Sequence, residues 1–191
     1  MSGFQIILLI ITIFFVYKIF EYMQNFESKT DNKKPQMQKN SYEEIDEMLL
    51  NADASYERGD FQTALNLLEN AHRHDSSNTE ILNKLAFILA KDNQIERAIK
   101  EYKNSLVLNN SDDLVHNAIA SLYKGQKMYD LAKQHYKKAL EIDENYDITY
   151  YNYGNLLQET EEKEEAVKMY QKALELNPNF KEAKEELEKL L

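Results

Sequence analysis

The side chains with the greatest capacity for chemistry in this chain of 191 residues are its four histidines. His72 and His74 lie two residues apart in the sequence HRHD, whereas His116 and His135 are isolated. Imidazole nitrogens are common ligands of zinc, copper and nickel, and structural zinc sites usually have four ligands. The chain has no cysteine, and no third ligand accompanies His72 and His74. We therefore predict neither a metal site nor a cofactor, and we interpret the histidines as structural or solvated.

The sequence contains no recognisable catalytic arrangement. Its four glycines are scattered, and neither G-x-S-x-G nor G-K-[ST] occurs. The acidic runs at 159–165 and 182–188 are typical of solvated helix faces, where lysines three or four residues away pair with the carboxylates. The net charge of -10 argues against a nucleic-acid partner, because phosphate backbones would be repelled. We predict that the protein is not an enzyme and has no small-molecule substrate.

The first twenty residues form an apolar segment. Residues 4–20 carry a single charge, Lys18, and as a helix they would extend about 25 Å, close to the ~30 Å of a bilayer core. We predict a single transmembrane anchor helix within residues 1–24, followed by a flexible polar linker at 25–40. A cleaved signal peptide is disfavoured because no basic residue precedes the apolar run. An interfacial helix is disfavoured because the run has no polar face.

The distribution of lysines predicts the orientation of this anchor. No Lys or Arg precedes the apolar run, whereas Lys18 lies near its end and four more lysines follow within about twenty residues of it. Short cytoplasmic flanks usually carry such an excess. We therefore expect the N-terminus outside and the remaining domain in the cytoplasm; the alternative is a domain that faces the periplasm.

Small residues recur every 34 positions across most of the chain. Apolar residues between them follow the i, i+3, i+4, i+7 spacing of helices, and short polar turns divide each unit into two helices. Because one helix pair leaves an apolar face uncovered, neighbouring units must stack to close the core. Possible capping boxes occur at Ser41-x-x-Glu44 and Ser77-x-x-Glu80. Three columns consist of small residues: Ala52, Ala86, Ala120 and Gly154; Ala64, Ala98, Ala132 and Ala166; and Ala71, Ser105, Ala139 and Ala173. A fourth column, between the last two, consists of large residues: Leu68, Tyr102, Tyr136 and Tyr170.

The unit YYNYGNLLQETEEKEEAVKMYQKALELNPN resembles the tetratricopeptide repeat. Its matching residues are Tyr150, Tyr153, Gly154, Ala166, Tyr170, Ala173 and Pro178. The resemblance implies an all-α fold, an α-solenoid of four helix-turn-helix repeats at 45–78, 79–112, 113–146 and 147–180. A capping helix at 181–191 would complete a domain spanning 41–191. The polar residues Asn51 and Ser55 replace large apolar ones in the first repeat, which leaves the packing of its first helix open.

The same resemblance implies a concave groove, lined by the first helices of the repeats, that binds a protein or peptide segment. Apolar members such as Leu49 and Leu114 are explained equally well as half-buried packing. In this family pattern His116 takes a core position of a first helix, and His135 falls on an outer helix face. By repeat position, the groove residues are Leu49, Asp53 and Tyr56; Asn83, Phe87 and Lys91; Asn117, Ser121 and Lys124; and Tyr151, Asn155 and Gln158.

Together these features predict a membrane-tethered adaptor or scaffold that acts through protein–protein contacts in the groove. Two alternatives remain open at this point. The domain would be an assembly or secretion chaperone if it faced an extracytoplasmic space. It would instead be a non-catalytic subunit of a membrane enzyme complex if its partner carried the active site.

Overall fold

The computed structural model describes Lys18 and residues 35–191. This part of the chain contains nine α-helices after Lys18 and no strand. The predicted anchor, apart from Lys18, and linker residues 25–34 lie outside the described residues. None of the helices within 35–191 combines the length and hydropathy of a membrane span. The helices are α1 (Pro35–Glu57), α2 (Phe61–His74), α3 (Thr79–Lys91), α4 (Ile95–Leu108), α5 (Asp113–Gly125), α6 (Tyr129–Ile142), α7 (Asp147–Glu159), α8 (Lys163–Leu176) and α9 (Lys181–Leu190).

Helix α1 begins at Pro35, so it overlaps residues 35–40 of the predicted flexible linker. Proline is favoured at the first position of a helix, because its missing N–H would have no partner there. The following sequence QMQK consists of good helix formers. Ser41 therefore lies inside the helix and does not cap it.

The chain divides into two compact units at Glu47 and Met48, within α1. In the first unit the described residues are Lys18 and 35–47, and Ile45 is buried. The second unit contains the rest of α1 and helices α2 to α9. In it α3 packs on α4, α5 on α6 and α7 on α8, and each pair packs on the next. The rings of Tyr56 and Phe61, 6.0 Å apart, join α1 to α2. This order of helix pairs is the predicted all-α repeat solenoid.

The small residues at the 34-residue period are buried where the helices cross. Gly154 shows why the residue must be small. A Cβ atom added there would lie 2.7 Å from Cε1 of Tyr170, well inside van der Waals contact. The fourth repeat therefore requires glycine where the other three have alanine.

The turn inside each repeat ends the first helix with a residue of left-handed backbone conformation. The φ angles are 77° at Gly59, 60° at Asn93, 61° at Lys127 and 62° at Glu161. In the first repeat, Gly59 N–H donates to Tyr56 O at 2.8 Å and Asp60 N–H donates to Ser55 O at 2.9 Å. This pair of bonds is the Schellman motif, which satisfies the last carbonyls of a helix, and the other three repeats have it too.

Helix α3 begins one residue later than the predicted capping box implies. Asn78 is its N-cap, and the side chain accepts hydrogen bonds from the backbone N–H groups of Glu80 and Ile81. Ser77 instead donates its hydroxyl proton to Asp75 Oδ1 at 3.1 Å. Asparagine caps helices as well as serine does, so the sequence SN offered two competing caps.

The first repeat accommodates its polar residues without leaving them unsatisfied. Ser55 is buried, and its hydroxyl donates to Asn51 O at 2.8 Å and accepts from Arg58 Nη2 at 3.1 Å. Asn51 itself is exposed. The hydroxyl bonds remove most of the penalty for burying a polar group at a core position.

Candidate protein-binding groove

Polar links join the first helices of successive repeats along one face, which we call the groove face. They run from α1 to α3, then to the start of α5, then to α7 and finally to the capping helix α9. Two of the four are ion pairs and two are amide–carboxylate hydrogen bonds. The links are Lys84–Asp53 at 2.7 Å, Asn83–Asp112 at 3.4 Å, Lys124–Glu159 at 3.2 Å and Gln158–Glu186 at 3.4 Å.

The N-terminal part of this face, the aromatic end, consists of Asp53, Tyr56, Lys84, Phe87 and Lys91. The Tyr56 and Phe87 rings meet edge to face with centroids 5.2 Å apart, and Lys91 Nζ lies 5.2 Å from the centroid of Phe87. Phe87 remains 39% exposed. With Glu57 and Asn83, four of these residues line a cleft of about 470 Å³. The aromatic end therefore offers an accessible apolar surface beside charges of both signs.

In the middle of the groove face the side chains are engaged with one another. Asn152 Nδ2 donates to Asn117 Oδ1 at 3.3 Å. Ser121 Oγ and the Tyr136 hydroxyl share a hydrogen bond of 2.9 Å. Burial raises the pKa of Tyr136 to about 12, so this phenol keeps its proton at neutral pH.

The C-terminal part, the polar end, consists of Lys124, Tyr151, Asn155, Gln158, Glu159 and Glu186, which line a cleft of about 490 Å³. Beneath it, the Tyr170 hydroxyl lies 2.7 Å from the side-chain oxygens of both Asn155 and Gln158. A phenol has one proton, so one amide accepts it and the other must present its NH₂ group to the phenol oxygen. Tyr151 packs against Phe180 with ring centroids 4.9 Å apart.

The predicted groove residues lie in three parts of the groove face, and Leu49 lies apart from them. Leu49 is buried, so it belongs to the core and not to an accessible groove. Its repeat position holds Asn83, Asn117 and Tyr151 in the other units, and the leucine turns inward because its side chain is wholly apolar. Asp53, Tyr56, Asn83, Phe87 and Lys91 meet at the aromatic end. Asn117 and Ser121 lie in the middle, and Lys124, Tyr151, Asn155 and Gln158 meet at the polar end.

Sequence reasoning missed three charged partners of these residues: Lys84, Asp112 and Glu186. The available signal was the pairing of opposite charges at spacings close to the repeat length, as in Lys84 with Asp53 and Lys124 with Glu159, which are 31 and 35 residues apart. These pairs are partly exposed, so each contributes little to stability. Their effect is to position the side chains on the groove face.

We predicted that His135 falls on an outer helix face, but in the structure it packs against His116 and Tyr123. Its Nδ1 atom lies 3.0 Å from Nδ1 of His116, and its ring is 5.8 Å from that of Tyr123. In the other units the same repeat position is occupied by Leu67, Glu101 and Met169, which are also half-buried. Comparison of these positions could have predicted that His135 packs against a neighbouring helix. Burial, aided by His116, lowers the pKa of His135 to about 4, and burial also lowers the pKa of His116.

Comparison with known proteins identifies the repeat. Two family models described as tetratricopeptide repeat match residues 55–122 and 111–179. No curated protein matches the chain.

Several solved structures share the fold. PilF from Pseudomonas aeruginosa is 23% identical, with a TM-score of 0.72 over 80% of this chain and 69% of that one. MamA from Desulfovibrio magneticus RS-1 is 20% identical, with a TM-score of 0.69 over 77% and 83% of the two chains. YrrB, described as a tetratricopeptide protein with an unusual peptide-binding site, is 21% identical, with a TM-score of 0.64 over 72% and 71%. At these identities the likeness concerns the fold alone.

Proposed function

Because residues 55–179 belong to the tetratricopeptide repeat family, we propose that this chain is a non-catalytic adaptor that binds a protein or peptide segment along its groove face. Proteins of this family generally mediate protein–protein interactions. One of the structures with this fold, YrrB, is described as having a peptide-binding site. The proposal extends that mode of binding to the present groove.

The observation that carries the proposal is the exposure of Phe87 in a cleft that is already formed. Its ring is supported on one side by Tyr56 and flanked by Lys91, yet 39% of it remains accessible. Rigid aromatic side chains lose little conformational entropy when a partner covers them, and they are enriched among the residues that dominate binding energy. The aromatic end therefore supplies the anchor of the proposed site.

The polar end supplies the second part of the proposed site. Lys124 and Glu159 are a partly exposed ion pair, and the amides of Asn155 and Gln158 are held in place from below by Tyr170. Preorganised amides suit the N–H and C=O groups of an extended peptide, since one amide can donate and accept. A partner that spans both ends would combine an apolar anchor with backbone hydrogen bonds.

The binding experiment is crosslinking of the 191-residue chain in its native membranes, followed by mass spectrometry of the captured partners. The affinity of a captured partner is then measured for the chain and for Phe87→Ala. We expect a loss of about 2 kcal/mol or more in binding free energy, since truncation of a hot-spot aromatic to alanine typically costs that much. Leu131→Ala is the matched control, because Leu131 is also 39% exposed but lies on α6, a second helix. Equal affinities for the parent chain and Phe87→Ala would refute the proposal that the partner binds at the aromatic end of the groove face.

We further propose that residues 4–20 tether the domain to a membrane with the repeats on the cytoplasmic side. Two features support this proposal. The segment is apolar, and five lysines occur between its start and residue 40 whereas none occurs in residues 1–3. Reporter fusions at Leu191 test the topology: one reporter is active only in the cytoplasm and the other only outside it. Activity of the cytoplasmic reporter is expected. Activity of the other would place the domain in an extracytoplasmic space and favour the role of an assembly or secretion chaperone.

A further inference from the structure

His116 on α5 and His135 on α6 face each other within the third helix pair, with their Nδ1 atoms 3.0 Å apart. We propose that this pair, which we call the imidazole pair, is a binding site for one divalent transition-metal ion of the zinc, copper and nickel class. The two Nδ1 atoms would be its protein ligands, and water would complete the coordination. This site is separate from the proposed protein-binding function.

The separation of the two nitrogens is close to what such an ion requires. Metal–nitrogen distances of about 2.0–2.1 Å in a tetrahedral site correspond to nitrogens about 3.3 Å apart. The imidazole pair therefore needs to widen by only a few tenths of an ångström. Both ligands stand on helices that are fixed by buried neighbours, since Val115 precedes His116 and Tyr136 follows His135. Among the described residues no group of three or more metal-binding side chains occurs, so this part of the chain contributes two ligands here.

The protonation of the imidazole pair favours metal binding at neutral pH. A short contact between two neutral imidazoles requires one nitrogen to donate its proton and the other to accept it. The accepting nitrogen already has a free lone pair, and the donor frees its own when its proton moves to Nε2. No net loss of a proton is needed.

The charges around the imidazole pair come from three sides and partly cancel. Lys138 on α6 and Lys103 on α4 act against a bound cation, and Lys103 Nζ is held 2.8 Å from the Tyr123 hydroxyl. Asp112 and Asp113 at the start of α5 act in its favour. Imidazole nitrogens bind these metals through coordinate bonds, so a near-neutral environment is sufficient.

An ion and its water ligands can approach the site from the side of His116. A cleft of about 360 Å³ opens at His116, lined also by Leu106, Asn110, Ser111, Lys138 and Ile142. A bound ion would link α5 to α6 inside one repeat. Since α5 also carries Asn117, Ser121 and Lys124, the ion would fix the helix that forms the middle of the groove face.

The test is isothermal titration of the purified 191-residue chain with Zn²⁺ at pH 7.5. One ion per chain is expected. His116→Gln and His135→Gln should each weaken the affinity by about tenfold or more, since loss of even a residue that only hydrogen-bonds to a metal ligand typically costs that much. The double variant His72→Gln with His74→Gln is the matched control, and its affinity should be unchanged. Circular dichroism establishes that each variant is folded. Absence of binding by the parent chain, or loss of binding only in the control, would overturn the proposal.

A second measurement requires no variant. The chain has four histidines, so a spectrum of the ¹⁵N-labelled imidazoles distinguishes their nitrogens individually. Addition of Zn²⁺ should shift two Nδ1 signals, those of His116 and His135, and leave His72 and His74 in place. A shift of Nε2 signals, or of His72 and His74 instead, would show that the ion binds elsewhere.

Discussion

The two ends of the groove face use the same repeat positions to present different surfaces. The ninth position of the unit is Phe87 at the aromatic end and Asn155 at the polar end. Phe87 offers an exposed ring, whereas Asn155 is held from below by the Tyr170 hydroxyl. In the third repeat Ser121 occupies the same position and bonds to Tyr136 in the same way. The ninth residue of each unit therefore decides whether a groove side chain is bonded to the helix beneath it or is free to meet a partner.

This difference follows from hydrogen-bonding capacity. The second-helix column is tyrosine in repeats two to four, and in repeats three and four its hydroxyl bonds to the ninth residue of the groove. A serine or an amide in the groove can accept from that hydroxyl, and a phenylalanine ring cannot. The same framework thus gives a fixed polar surface where the ninth residue is polar and an exposed apolar anchor where it is aromatic.

Gly154→Ala tests the polar end with the largest expected effect. The added Cβ would lie 2.7 Å from the Tyr170 ring, so the ring must shift and its hydrogen bonds to Asn155 and Gln158 are disturbed. We expect a loss of about 1–3 kcal/mol in the free energy of unfolding, typical of overpacking. Denaturant unfolding followed by circular dichroism measures it.

Gly125→Ala is the control for this change. A Cβ at Gly125 meets nothing within 4 Å, and alanine favours a helix more than glycine does. This variant should be as stable as the parent chain or slightly more stable. If both alanine variants had the same stability, the close contact between Gly154 and Tyr170 would not exist.

Tyr170→Phe removes the hydroxyl while keeping the ring. Asn155 and Gln158 would lose their shared partner, and we expect a loss of about 1 kcal/mol in the free energy of unfolding, typical of a net hydrogen bond, or somewhat more. Tyr136→Phe removes a single bond, to Ser121, and should cost less. A larger loss for Tyr136→Phe, measured in the same denaturant, would contradict the distinction between the two ends.

The sequence was sufficient to predict the fold because its determinants are local and repeated. Small residues such as Ala132 and Ala166 occur where helices cross, and burial at these positions follows directly from the period. The hydrogen bonds of Tyr170 were not predictable in this way, because they depend on which rotamers the ring and two amides adopt together. The ion pair of Lys84 with Asp53 crosses between repeats, and its geometry depends on how the repeats are stacked.

The stability of the third helix pair should respond to acid through the imidazole pair. The pKa of His135 falls from 6.5 to about 4 on folding, so the unfolded chain binds more protons between these values. Stability from this group is complete above pH 6.5 and is lost as the pH falls toward 4. Since the ring is only half-buried, we expect about 1 kcal/mol after allowing for solvent screening.

The measurement is denaturant unfolding at pH 7.5 and pH 4.5 without metal, for the parent chain and for His135→Gln. Carboxylates also titrate in this range, so the informative quantity is the difference between the two chains. The parent chain should lose more stability than the variant on acidification. His74→Gln is the control, because His74 is exposed, and it should behave as the parent chain does. Equal losses in all three chains would show that the imidazole pair is not responsible.

The smallest expected effect comes from the turns that follow the first helix at each end. The turn after α1 has Gly59 at a φ of 77°, whereas the turn after α7 has Glu161 at a φ of 62°. A side chain in this left-handed region is strained by contact between Cβ and the carbonyl oxygen, and glycine avoids the strain. Glu161→Gly should therefore raise the free energy of unfolding at the polar end, by about 0.5–1 kcal/mol once the greater flexibility of unfolded glycine is counted.

Gly59→Ala is the mirror of this change at the aromatic end. A Cβ at Gly59 meets nothing within 4 Å, so any loss of stability must come from the backbone conformation and not from crowding. We expect a loss of about 1 kcal/mol, opposite in sign to the gain from Glu161→Gly. Both turns have the same Schellman bonds, since Glu162 N–H donates to Leu157 O at 2.8 Å much as Asp60 N–H does to Ser55 O at 2.9 Å. Unfolding free energies that shift in the same direction for both variants would show that the turns of the two ends differ in more than the identity of one residue.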